Sequence, residues 1–200
     1  MHYLGDEDAP RVIVISEPRL GPSMDLPETD EVVWSVLADT ARTIAEQVDV
    51  FAIACNTLNI YAARLEALAL PADLVTPQAA VGEWCHQHDV TSIGLLGARP
   101  VTRLDAWSPY TAAQTRLTVE PPPDIDALHQ LILDIKRDGG VAAHQARFAT
   151  LAAAFSADHL VLACTELPLV STRVPGKTLL DPTDLLAAAL VRRWSASTAS

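Results

Sequence analysis

The sequence predicts an α/β protein of two similar lobes, on three observations. Short apolar runs rich in β-branched residues alternate with stretches of helical periodicity, the pattern of a mainly parallel sheet flanked by helices. Two of those runs end in one design, Ala-Cys followed by polar residues and a helix: Ala54-Cys55-Asn56-Thr57 and Ala163-Cys164-Thr165-Glu166. Sheets of this kind gather their sites at the carboxyl ends of strands, so both motifs stand where chemistry is expected.

The elements follow in order. Residues 11–15 (RVIVI) form a β-branched run that predicts a buried parallel strand. The next stretch, SEPRLGPSMDLPETD, is rich in Pro, Gly and Ser and reads as a long loop. Over residues 31–47 Val33, Leu37, Ala41 and Ile44 recur at helical spacing behind Thr29 and Asp30 as caps. Residues 48–54 predict a strand, 58–68 a helix, LPADLVTP a short strand closed by Pro77, 79–88 a helix and 91–96 a buried strand with Gly97 beyond it. Residues 124–138 predict an amphipathic helix stopped by Gly139 and Gly140. An Ala-rich helix follows over 141–155, then a strand over 159–163 running into CTELP, and a last strand over 177–180. The final helix has Asp181 at its cap and Pro182 in its first turn. Trp34 and Trp84 suit helix–sheet packing, and Trp107 and Tyr110 are placed to line a pocket.

Composition bounds the rest. Of 200 residues, 50% are hydrophobic and 20% charged, which excludes a disordered chain and suffices for a large core. The formal net charge of -11 is spread along the chain and argues against nucleic-acid and anionic-membrane partners. An anionic ligand must therefore be drawn in by local donors. Three cysteines, an odd number, with no signal-like start and no membrane-length apolar run, predict a reduced compartment, the cytoplasm.

A cysteine where a strand hands over to a helix lies near backbone N–H donors and the positive end of a helix dipole, which favours thiolate. Alone, either cysteine would read as a small buried hydrophobe. Two at matching points read as a functional pair. Cys85 lies inside the helical VGEWCHQH and reads as structural. The run Cys85-His86-Gln87-His88 has metal-ligand residue types but no remote partner cluster, so it reads as surface and no metal is expected.

The motifs CNT and ACTELPL, in that order, resemble the paired cysteine signatures of the aspartate/glutamate racemase superfamily, most of all its aspartate racemase branch. The likeness runs from Arg11 to the final helix through IGLLGARP, IKRDGG and LLDPTDLLAAAL. It implies two Rossmann-like lobes related by a pseudo-twofold with the active site in the cleft between them. Residues 1–79 with 181–200 would form the first lobe and 80–180 the second, in a homodimer. It also implies a small-molecule carboxylate or amino-acid substrate, no cofactor, and Cys55 and Cys164 as the catalytic pair. One thiolate takes the Cα proton while the other thiol supplies one from the opposite face. Inverting a stereocentre requires this, since one group cannot serve both faces. By the same resemblance Asn56, Thr57 and Thr165 cradle the carboxylate, although each fits a helix cap as well. Lys136 aligns with a lysine that reaches the substrate's side-chain carboxylate, and it also suits a last-turn lysine favoured by the helix dipole. Arg19 lies near an arginine that holds the distal carboxylate. Glu166 is expected to hold the second loop together.

Three departures qualify the substrate. No glycine-rich segment precedes residue 11, so either the natural start lies upstream or the pocket is altered. The family's Thr-x-Gly-Thr is Ala98-Arg99-Pro100-Val101 here, with Thr102 as the available substitute. The distal arginine is shifted or missing. Two other readings are a cysteine-dependent isomerase or related enzyme on a dicarboxylate, and a non-catalytic carboxylate-binding homologue.

Overall fold

The computed structural model describes residues 9–197. In chain order the elements are α1 (Asp30–Ala45), β1 (Val50–Ala52), α2 (Ala62–Glu66), β2 (Asp73–Val75), α3 (Pro77–Gln87), β3 (Ser92–Gly97) and α4 (Arg99–Thr102). They continue with β4 (Thr118–Glu120), α5 (Ile125–Asp138), α6 (Ala142–Ala153), β5 (His159–Ala163), β6 (Thr178–Leu180) and α7 (Pro182–Ser197). Short 3-10 turns occupy Pro18–Asp25, Thr57–Tyr61, Thr111–Thr115 and Leu167–Leu169. No helix among the described residues is long and apolar enough to cross a membrane.

Two parallel sheets carry the two lobes. The larger has the order β4-β3-β5-β6, and the smaller pairs β1 with β2. In the larger sheet Gly97 of β3 lies opposite Ala163 of β5, so both strands finish at one level. Both faces of these central strands are covered, which explains their continuous apolar sequence. Leu96, Leu160 and Leu162 pack beneath Leu128, Leu131, Ile132 and Ile135 of α5, with Phe148 of α6. Ile93, Leu95 and Val161 turn to the other face, against Val81 and Cys85 of α3. Alternate residues thus serve alternate faces.

Gly94 is required by this packing. A Cβ there would lie 2.5 Å from Phe155 Cδ1 and 2.6 Å from Leu160 Cδ2. Replacing Gly94 with Ala is expected to cost about 1–3 kcal/mol through overpacking. Chemical denaturation checks this, and an unshifted midpoint would contradict the close fit.

Helix ends follow their sequence signals. Asp124 accepts from the Ala127 N–H at 2.8 Å, and Gly139 closes α5 at φ 77. Thr76 caps α3 ahead of Pro77. Thr29 precedes α1 without capping it; its hydroxyl donates to the Pro22 carbonyl. Asp30 instead accepts from the Tyr61 hydroxyl at 2.9 Å and Arg64 at 3.1 Å, while the Arg64 guanidinium lies 4.1 Å above Trp34. This network fastens α1 to the turn that follows Cys55. The last helix, α7, packs on α3 and against β1 and β2, through Leu186 and Ala189 with Val75 and Ala80.

One expected strand is absent. Residues 11–15 lie in no ladder, and Val12 and Val14 are 72% and 85% exposed. β-branched residues favour extended backbone, but a strand is made by pairing. Among the described residues no edge pairs with this run. The proline-rich stretch after it is more ordered than a loop, since Pro18–Asp25 winds into a 3-10 turn.

Candidate active site

The first cysteine loop leaves the sheet after β1 and is tied down at once. Asn59 donates its side-chain amide to the carbonyls of Ile53 and Cys55 at 2.9 and 2.8 Å. These bonds occupy carbonyls that the short ladder no longer reaches, and they fix the backbone on either side of Ala54. Cys55 itself is half-buried. Asn56 is buried, and its carbonyl accepts from the Tyr110 hydroxyl at 2.8 Å. Burial raises the Tyr110 pKa, so the phenol remains a neutral donor.

The second loop continues β5. Cys164 is buried, and its Sγ–H donates to Glu166 Oε2 at 2.9 Å. The Thr165 hydroxyl donates to the same oxygen at 3.2 Å, and Lys136 Nζ lies 3.1 Å from Oε1. Burial, then the charge of Glu166 and its hydrogen bond, push the Cys164 pKa well above the ordinary thiol range. Burial works against ionisation of Glu166, but donation from Cys164 and the charge of Lys136 outweigh it and lower its pKa. Burial likewise opposes the Lys136 charge, and the bond to Glu166 outweighs it, so the ammonium is held. Near neutral pH the loop therefore presents a thiol, a carboxylate and an ammonium.

The two loops come within electrostatic range of each other. The charge on Cys55 contributes to the raised pKa of both Cys164 and Lys136, so its sulfur lies within Coulombic reach of each. Cys55, Cys164, Thr165, Lys136 and Glu166 thus form one cluster, with Asn56 and Thr57 buried at the foot of the first loop. Neither Asn56 nor Thr165 makes a capping bond, which removes the alternative role of each. Lys136 is neither a free surface lysine nor an idle donor. To reach a ligand it must share itself with Glu166.

Other expected positions fall elsewhere. Arg19 is not brought to the cluster: its side chain is 71% exposed and grips Glu17 through Nε and Nη2. Thr102 does not replace the family's loop hydroxyl, because it is fully buried and donates to the Ala98 carbonyl. Cys85 is buried in the core while His86 is exposed and His88 stacks on Trp84 with its Nδ1 bonded to the Trp84 carbonyl at 2.8 Å, so the run does not converge. No group of three potential metal ligands occurs among the described residues.

Three positions escaped sequence reasoning. Asn59 lies one turn beyond the cysteine motif and carries no signal of its own. Tyr110 was readable only as a pocket aromatic, not as the partner of Asn56. Gly140 looks like a second helix stop, but a Cβ there would lie 2.7 Å from the Leu169 carbonyl oxygen. The turn that ends α5, one turn after Lys136, therefore rests on the turn that follows Cys164.

A hollow of about 420 Å³ opens between residues 24–28 and the segment that begins with α4, lined by Met24, Asp25, Glu28, Arg99, Arg103 and Trp107 among others. Neither sulfur lines it. Trp107 and Met24 of its walls belong to the apolar clusters that Cys55 and Cys164 join, respectively.

Comparison with known proteins gives this geometry its family. The chain is similar to an aspartate racemase homologue from Pyrococcus horikoshii (TM-score 0.76, 20% identity, covering 96% of this chain and 87% of that one). It is also similar to the Picrophilus torridus aspartate racemase (TM-score 0.78, 16% identity, 96% and 83% covered). A third similar structure is the glutamate racemase of Francisella tularensis in complex with D-glutamate (TM-score 0.65, 16% identity, 82% and 64% covered). No relative among curated proteins matches. Residues 3–190 match the family model described as Asp/Glu/Hydantoin racemase. The chain belongs to that family, and it is an isomerase of the racemase type.

Proposed function

We propose that the protein is a cofactor-independent racemase or epimerase that works at the carbon next to a carboxylate, with Cys55 and Cys164 as opposed base and acid. The observation that supports this reading is positional: Cys55 and Cys164 each lie in the loop that follows a parallel strand, β1 and β5, and come within electrostatic range of each other. The protonation pattern assigns a starting direction. Cys164, held as a thiol by burial and Glu166, supplies the proton, and Cys55 removes one from the opposite face. The Cα proton is weakly acidic, so donors must meet the charge that develops on the carboxylate. Thr57, the amide of Asn56 and the backbone N–H groups of both loops are those donors, and Thr165 joins them when its hydroxyl turns away from Glu166. The Asn56 carbonyl is already taken by Tyr110, which orients its amide group.

In the reverse direction Cys164 must become a thiolate beside the Glu166 carboxylate, and Lys136 offsets that repulsion. Activity that draws on the Cys164 proton is present below its raised pKa and lost as pH rises through it.

Incubation in heavy water tests the reading. Aspartate, glutamate and their neutral analogues are each followed by proton resonance and by optical rotation. The expected result is deuterium at Cα with loss of optical activity for at least one of them. Absence of Cα exchange across the whole set would reject it.

A further inference from the structure

We infer that Asn59 is a positioning residue for the first cysteine loop: its amide grips the carbonyls of Ile53 and Cys55 and so turns the N–H groups of Ala54 and Asn56 to the opposite face, as a paired donor for the substrate carboxylate. The inference rests on the reading of the cysteine pair given above and deepens it. One nitrogen, Asn59 Nδ2, donates to the Ile53 carbonyl at 2.9 Å and to the Cys55 carbonyl at 2.8 Å. A trans peptide is planar, so its C=O and N–H point in opposite directions. The Ile53 carbonyl shares a peptide with the Ala54 N–H, and the Cys55 carbonyl shares one with the Asn56 N–H. Both N–H groups therefore leave the loop away from Asn59. Ala54 and Asn56 lie outside every helix and strand, and neither N–H is taken by a backbone carbonyl among the described residues. Asn59 is 3% exposed, whereas Ala54 is exposed and Cys55 half-buried, so the amide holds the loop from its buried side.

The residue type favours this role over simple packing. Asn59 Oδ1 is buried and meets no donor among the described residues. A buried acceptor in that state is destabilising, and a leucine of similar volume has no such atom. What leucine lacks is two hydrogens on one nitrogen, the set that two neighbouring carbonyls require. The asparagine therefore gives up stability for a fixed backbone. Asn56 is held a second time through its side chain, whose carbonyl accepts from the Tyr110 hydroxyl at 2.8 Å. Donors fixed in advance need no reorganisation when charge develops on the carboxylate.

Nuclear magnetic resonance of the isotope-labelled protein, titrated with propionate as the simplest carboxylate, tests the donor pair. The amide protons of Ala54 and Asn56 are expected to move downfield together in the parent, and Asn59→Leu is expected to abolish both shifts. In the exchange assay Asn59→Leu should lower kcat roughly 10- to 100-fold and raise KM by a smaller factor, because the carboxylate gains charge in the transition state. Asn59→Asp separates positioning from packing, and serves if the leucine variant fails to fold. Its carboxylate repels both carbonyls when ionised and donates to one of them when protonated, so its rate relative to the parent should rise as pH falls. Parental amide shifts in Asn59→Leu, no amide shifts in the parent, or a relative rate for Asn59→Asp that is flat with pH overturn the role. The two proposals fail separately. Amide shifts that depend on Asn59, in a protein without Cα exchange, reject the acid–base pair and support the positioning role. Exchange at the parental kcat in Asn59→Leu does the opposite.

Discussion

Replacing either Cys55 or Cys164 with serine is expected to lower racemisation by about 10²- to 10⁴-fold, the usual contribution of one positioned acid or base. The two losses should differ in kind. A serine hydroxyl is a far weaker acid and base than a thiol, so neither variant completes the inversion. The Cys55→Ser variant retains the Cys164 thiol with its Glu166 acceptor, and so keeps the acid side intact. The Cys164→Ser variant retains the base and can still exchange one enantiomer in heavy water without inverting it. Following each enantiomer separately by resonance checks this. Equal, near-parental exchange in both variants would remove the cysteines from the chemistry.

Glu166→Gln should produce the second large effect. The substitution removes the negative charge that helps to raise the Cys164 pKa and the acceptor that holds its proton. The thiol then ionises at lower pH, and the alkaline limb of the exchange profile moves down with it. Lys136 loses its partner as well, so burial acts on the ammonium unopposed by Glu166. A loss of about 10- to 100-fold in rate is expected from one charge-assisted bond. The pH dependence of alkylation at Cys164 gives an independent measure, readable even in an inactive preparation. A profile that stays in place, or moves up, would contradict the role given to Glu166.

Much of this was readable beforehand, for physical reasons particular to each element. The strands β3 and β5 announce themselves because sheets covered on both faces need unbroken apolar runs. The edge strand β4 went unread: its three residues bury only Val119, which leaves no pattern. Residues 11–15 were over-read, because β-branched composition reports a preference and a ladder needs a neighbour. The position of the two cysteines beyond β1 and β5 was legible through the strand-end rule, which holds for any parallel sheet. The grip of Glu166 on Lys136 was not, since thirty residues of chain separate them and only the α5–α6 turn on Leu169 brings them within 3.1 Å. Arg19 fits a family position by neighbourhood, but its own sequence offers Glu17 two residues away, and the nearer charge wins.

The bond between Tyr110 and Asn56 has an evolutionary consequence. It runs from the segment that shapes the hollow to the residue adjoining Cys55, and both of its ends are dry. Any change in the segment that bears Tyr110 therefore tugs on the neighbour of Cys55. Descendants of this sequence can vary that segment only while the phenol stays anchored, because its loss would leave the buried Asn56 side-chain carbonyl without its donor.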